Sequence, residues 1–197
     1  MILVNPEYLP SVNYFRLFKD NNIVLDYEGK YNNQSQLTRT WIFGNDNVFP
    51  LEIPIKRKSK KKLIKDLKID YSKNWINKHF QSIQSSYGKY PYYIYYKDLI
   101  LDKIKVRHNF LIDLNYDLLT LFIKLLNFKN KIVESDAINL KNNKYQAEEM
   151  YNDKLFNKNV KEYRKNLFLG KKFDYKLSVI DLLFVKGPES GFFINNF

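Results

Sequence analysis

Two short apolar runs, Ile2-Leu3-Val4 and Ile23-Val24-Leu25, bracket one helix-patterned stretch within the first 25 residues. That arrangement narrows the fold more than any other feature of the chain. Each run is too short for a helix, and Asn5-Pro6 after the first and Asn21-Asn22 before the second are turn formers, so both read as buried strands. Between them Ser11 can cap a helix over residues 12–19 that gathers Tyr14, Phe15 and Phe18 on one side. Strand, helix and strand in so little chain call for parallel pairing, the start of an α/β fold.

The pattern then changes. Residues 26–33 read as a polar loop, while residues 37–43 and 48–55 have strand character and flank Gly44-Asn45-Asp46-Asn47, so a hairpin is expected there. Pro54 suits a strand end or edge. Leu67-Lys68-Ile69-Asp70 reads as a further strand, with Ser72 as cap of a helix running to about Tyr87. Trp75, Ile76, Phe80, Ile83 and Tyr87 are spaced for one face of that helix. Pro91 opens a Tyr-rich helix, and residues 109–126 form the clearest one, with Leu111, Leu114, Leu118, Leu121 and Leu125 recurring by threes and fours. Lys131-Ile132-Val133-Glu134 suits a late strand. Residues 140–162 are polar and weakly patterned, a long loop or lid. Ser178-Val179-Ile180-Asp181 has the form of a capping box, and Gly187-Pro188 stops the helix it opens. The expected architecture is one α/β domain over residues 1–197: a mixed sheet, helices packed on it, and a C-terminal helical segment.

Composition excludes several chemistries. Cys is absent, so there is no disulfide, thiolate ligand or Cys nucleophile, which is compatible with a reducing cytoplasm. Two histidines and no Cys make a structural zinc site a poor fit, and no metal site is expected. Neither G-x-x-x-x-G-K-[ST] nor G-x-G-x-x-G occurs. The N-terminus lacks a basic, then apolar, signal pattern, and no run reaches the roughly 18 apolar residues of a membrane span. The net charge of +12 is concentrated: residues 56–68 carry a local +7, leaving +5 for the rest. Lys, Asn, Ile and Tyr dominate and share AT-rich codons, so codon bias alone can produce much of this charge. The alternative is a polyanion-binding loop built from Lys56, Arg57, Lys58, Lys60, Lys61 and Lys62.

The candidate site residues come from position. His79 falls within the arc of Trp75, Phe80 and Ile83, so it faces inward. It is either a buried neutral imidazole or a general base lining a pocket. The loop from Asn5 to Pro10 follows the first strand, at the carboxyl edge where α/β sheets bind ligands, which brings in Asn5, Tyr8 and Tyr14. Asp26, Gln34 and Arg39 follow the second strand toward the same edge. Arg39 can take a carboxylate or phosphate bidentately, or form an internal salt bridge. Asp26 and Asp70 can orient reactants. The tyrosines around residues 87–96 either fill the core and surface or stack on sugars.

Taken in order, these segments resemble the WbqC-like family. Asn5-Pro6-Glu7-Tyr8-Leu9-Pro10 with Tyr14-Phe15 is similar to its Q-P-x-Y-L-P…Y-F opening. Arg39 resembles the end of its N-R segment, and Leu51-Glu52-Ile53-Pro54-Ile55 its L-x-[IV]-P-[IV] strand. Ile69-Asp70, Trp75 and His79 match an I-D…W-x-x-x-H block, and Asp113-Leu114-Asn115 a D-L-N motif. The tail from Leu177 to Phe184 with Gly187-Pro188-Glu189 resembles Bacteroidetes-type members. Asn5, Ser11 and Asn13 stand where the family usually has Gln, Trp and Gly. The resemblance implies a transferase of glycine or acyl type in surface-polysaccharide (O-antigen) biosynthesis, acting on a small-molecule or a nucleotide- or lipid-linked sugar substrate. It names no cofactor and carries over no catalytic residue. On this reading His79 is the base, Asp70 and Asp26 orient, and Asn5, Tyr8, Tyr14, Gln34 and Arg39 bind. A non-catalytic basic binding module and an interaction protein remain as the other two classes.

Overall fold

In a computed structural model of the chain, the residues described are 1–19, 21–32, 35–44, 47–56, 63–129, 131–133 and 177–196. The opening unit forms as its pattern predicts. β1 (Ile2–Val4) and β2 (Ile23–Leu25) pair in parallel, Ile2 opposite Ile23, with α1 (Val12–Arg16) between them. Ser11 caps α1 by accepting from the Tyr14 N–H. The helix is shorter than its pattern because residues 17–19 tighten into turns whose N–H groups bond three residues back. This carries Phe15 and Phe18 into the core, where both rings meet Phe128.

β3 (Arg39–Gly44) and β4 (Asn47–Glu52) form the expected antiparallel hairpin, with Arg39 opposite Glu52; Asn45 and Asp46 of its turn lie outside the described residues. The α/β class therefore holds, but among the described residues parallel and antiparallel pairing occupy two separate two-stranded sheets rather than one mixed sheet. Single bridges extend them, Ile23 to Ile132 and Trp41 to Leu177. The late strand at residues 131–133 is reduced to the first of these. The strand expected at residues 67–70 is likewise reduced to single bridges, Lys68 to Phe110 and Ile69 to Ile55, after a 3-10 turn at Ile64–Asp66.

The Ile53 N–H donates to the Thr38 carbonyl at 2.8 Å, which sets the polarity of the hairpin edge. In an antiparallel ladder bonding alternates, so residues 49, 51 and 53 turn their backbone groups toward β3 while 50 and 52 turn theirs outward. Pro50, without an N–H, thus sits where no ladder bond is lost. The Glu52 carbonyl points the same way, away from β3.

Helices cover this frame. α2 (Trp75–Tyr87) begins two residues later than the sequence suggests, with Asn74 rather than Ser72 at its cap. Ser72 instead donates its backbone N–H to the Asp70 carboxylate at 2.9 Å, closing a local turn. α2 buries Trp75, His79, Ile83 and Tyr87, one residue per turn. α3 (Tyr93–Lys105) begins two residues after Pro91, α4 (Leu111–Leu125) follows its leucine periodicity, and α5 (Val179–Lys186) is capped by Ser178. Gly187 ends α5 with φ 54°, and a side chain there would run into the Tyr92 ring, so two independent constraints require glycine. α6 (Ser190–Asn196) closes the described chain. One continuous apolar cluster runs from Ile2 to Ile194. Among the described residues no helix is long and apolar enough to cross a membrane. The expected lid at residues 140–162 lies outside the described residues.

Candidate functional site

The site begins with a strained loop. Leu9 has φ 41°, a left-handed conformation that a branched residue rarely adopts. Two hydroxyls hold its carbonyl, Thr40 Oγ1 at 2.8 Å and Ser178 Oγ at 3.0 Å. The Val179 N–H bonds the Pro10 carbonyl and the Val12 N–H bonds the Leu177 carbonyl, so the C-terminal segment locks the loop from behind. The consequence is the direction of Tyr8. Its backbone N–H is held by the Gln36 carbonyl at 2.9 Å, and its hydroxyl meets His79 Nδ1 at 2.9 Å.

His79 is buried on α2, and its ring has two partners. Nδ1 is taken by Tyr8, and the ring also bonds the outward-facing Glu52 carbonyl. A carbonyl only accepts, so with Nδ1 given to Tyr8 this arrangement assigns the proton to Nε2 and makes the Tyr8 hydroxyl the donor to Nδ1. Burial pushes the imidazole from its ordinary 6.5 down to about 4, the bond to Glu52 opposing that drop. Burial pushes the Tyr8 phenol strongly up, so it stays protonated.

Beside His79 lies a hollow of about 910 Å³. One wall is the outer edge of β4 and its continuation, residues 49–55. The opposite wall is α2, which presents Trp75, Lys78, His79 and Ser82 at positions i, i+3, i+4 and i+7 of one face. Tyr31, Arg39, Asp70 and Lys73 complete the rim. Arg39 Nη2 donates to the Glu52 carboxylate at 3.0 Å, as their register dictates. The exposed Asp70 carboxyl is held below its usual range by its bonds from Ser72, with Lys56 and Lys73 adding to the effect.

Arg39, Asp70 and His79, far apart in sequence, therefore share one hollow, and Tyr8 stands directly behind His79 rather than on the surface. Asn5, Tyr14 and Asp26 do not line it. They gather at the end of β1 and β2, where the Tyr14 hydroxyl donates to the Asn5 carbonyl at 3.0 Å and the Asp26 N–H to Val4. Gln34, Arg57, Lys58, Lys60, Lys61 and Lys62 lie outside the described residues; Lys56 is exposed. Of the tyrosine group, Tyr87 and Tyr93 are core and Tyr95 is exposed. Sequence reasoning missed Glu52, Lys73, Trp75 and Lys78 as site residues. The helical spacing of Trp75, Lys78 and His79 was a signal for two of them.

The state of His79 makes stability depend on pH. The folded pKa lies below the unfolded one, so the unfolded chain binds the extra proton as pH falls. His79's contribution is whole above about pH 6.5 and is lost as pH drops toward 4. A shift of this size corresponds to about 2–3 kcal/mol between pH 7.5 and 4.5. Urea denaturation at those two pH values is expected to show that loss, and His79→Gln to remove it. An equal acid loss in the variant would place its origin elsewhere.

The family model described as the WbqC-like protein family matches residues 5–156. No curated protein and no solved structure matches the chain.

Proposed function

Because this chain belongs to the WbqC-like protein family, we propose that it is a cytoplasmic transferase that attaches a glycyl or other acyl group to a nucleotide- or lipid-linked sugar in surface-polysaccharide (O-antigen) assembly. The observation that carries this reading is the convergence of Arg39, Asp70 and His79 on one hollow, with Tyr8 bonded to the imidazole. Its volume falls in the range of small-molecule sites.

The chemistry asks for three things. Arg39, Lys73 and Lys78 attract the anionic part of the substrate. Asp70, kept ionised, orients the acceptor at the rim. His79 takes the proton. In the resting arrangement its Nε2–H is spent on Glu52, so it acts in the other tautomer: Nδ1–H donates to the Tyr8 oxygen and Nε2 turns to the acceptor. Tyr8 permits the exchange because a hydroxyl accepts as readily as it donates. The acceptor oxygen or nitrogen then forms a bond to the acyl carbon, its proton passes to Nε2, and the bond to the leaving group breaks with its electron pair. A negative substrate beside the ring raises the imidazole's proton affinity as it binds. Asn5, Tyr14 and Asp26 have no part in this step.

Purified protein supplied with an activated glycyl or acyl donor and nucleotide- or lipid-linked sugars is expected to yield a sugar one acyl group heavier by mass spectrometry. Arg39→Ala should raise KM about tenfold or more with kcat little changed. Absence of acylated product across such donors and acceptors overturns the reading.

A further inference from the structure

Among the described residues, two buried donors at the hollow have no acceptor. The indole N–H of Trp75, a residue 3% exposed, bonds to nothing, and neither does Arg39 Nε–H, although the same guanidinium holds Glu52 through Nη2. Buried polar groups are paired in the great majority of cases, and an orphan costs free energy. Both residues line the same space. A short chain of contacts links them: Arg39 holds the Glu52 side chain, the Glu52 backbone holds the His79 ring, and that ring meets Trp75 edge-on at 5.1 Å. Both orphans are donors, so what they lack is an acceptor.

The surrounding charge narrows the choice. Among the described residues that line the hollow, Lys73, Lys78 and Arg39 stand against Asp70 and Glu52, three cations against two carboxylates, which leaves one positive charge in excess. One negative charge matches that balance; the two of a phosphate monoester do not.

We infer that the substrate is anchored by a singly charged oxyanion, a carboxylate or a phosphodiester, whose oxygens accept from Trp75 Nε1–H and Arg39 Nε–H, and that Trp75 is a specificity-determining residue of this site. The inference rests on the hollow being the substrate site. As the side chains stand, both donor atoms are closed to a water-sized sphere, so binding draws a small side-chain adjustment of a kind common at interfaces.

The chain has two tryptophans, Trp41 and Trp75, so Trp41→Phe assigns the Trp75 indole resonance in a ¹⁵N-labelled sample. D-Glucuronate or dimethyl phosphate is expected to move that resonance downfield, and neutral D-glucose to leave it in place. Which of the two anions acts identifies the source of the oxyanion. Trp75→Phe, which keeps the ring and removes the donor, should weaken binding of that anion roughly five- to tenfold. Arg39→Lys, which removes Nε and keeps the charge, should weaken it similarly in a chain whose indole still reports. If the anion binds and shifts His79 while the indole stays still, the inference falls and the substrate-site reading survives. No shift with either anion, an equal shift with glucose, or a response to inorganic phosphate alone also overturns it. Sugar acylation is assayed separately, so its loss is distinguishable from each of these results.

Discussion

His79→Gln is expected to lower kcat for acyl transfer by about 10²- to 10⁴-fold while the protein stays folded at neutral pH. The size follows from what glutamine keeps and what it loses. Its amide can still accept from the Tyr8 hydroxyl and donate to the Glu52 carbonyl, the two bonds His79 makes at rest. It cannot take a proton at neutral pH, so the chemical step loses its acceptor. KM should change little, because the cations of the rim are untouched. Thermal denaturation beside the kinetic assay separates lost chemistry from lost fold. An unchanged kcat would make His79 a wall residue and leave Tyr8 with a packing role.

The second large effect concerns the frame. Asn115→Leu is expected to cost about 2–5 kcal/mol, read as a lowered urea midpoint. Asn115 is fully buried on α4, and its amide nitrogen donates to the Pro6 carbonyl at 2.8 Å and the Leu37 carbonyl at 2.9 Å. One side chain thus ties α4 to the loop that carries Tyr8 and to the turn that leads into Arg39. Leucine has the same branched skeleton but no donor, so two buried carbonyls lose their partner at once. The loop should also loosen, so that turnover falls in Asn115→Leu even under conditions where it remains folded. A midpoint within a few tenths of the parent value would mean that these carbonyls find other donors.

The two residues mark how far the sequence could be read. His79 was legible as inward-facing, because a helix of known period with Trp75 and Ile83 on one face places it there. Asn115 was visible only as part of a D-L-N motif; the carbonyls it satisfies lie 109 and 78 residues away and leave no local trace. The same distinction separates Arg39 from Tyr8. Hairpin register set Arg39 opposite Glu52, whereas Tyr8 was expected on a ligand-facing loop and lies behind the imidazole. The left-handed turn at Leu9, stabilised by Thr40 and Ser178, decides that direction.

The early parallel unit, the hairpin, the main helices, the Ser11 and Ser178 caps and the α/β class were all determined by sequence alone. Each depends on periodicity, capping or turn chemistry within a few residues. Only tertiary structure decided that the strands divide into two sheets, that the hollow lies between the β4 edge and α2 rather than beside Asn5, Tyr14 and Asp26, and that His79 rests neutral between Tyr8 and Glu52. Those outcomes depend on which buried donor finds which distant acceptor and on how far each group is removed from water, and neither is encoded in any short stretch of chain.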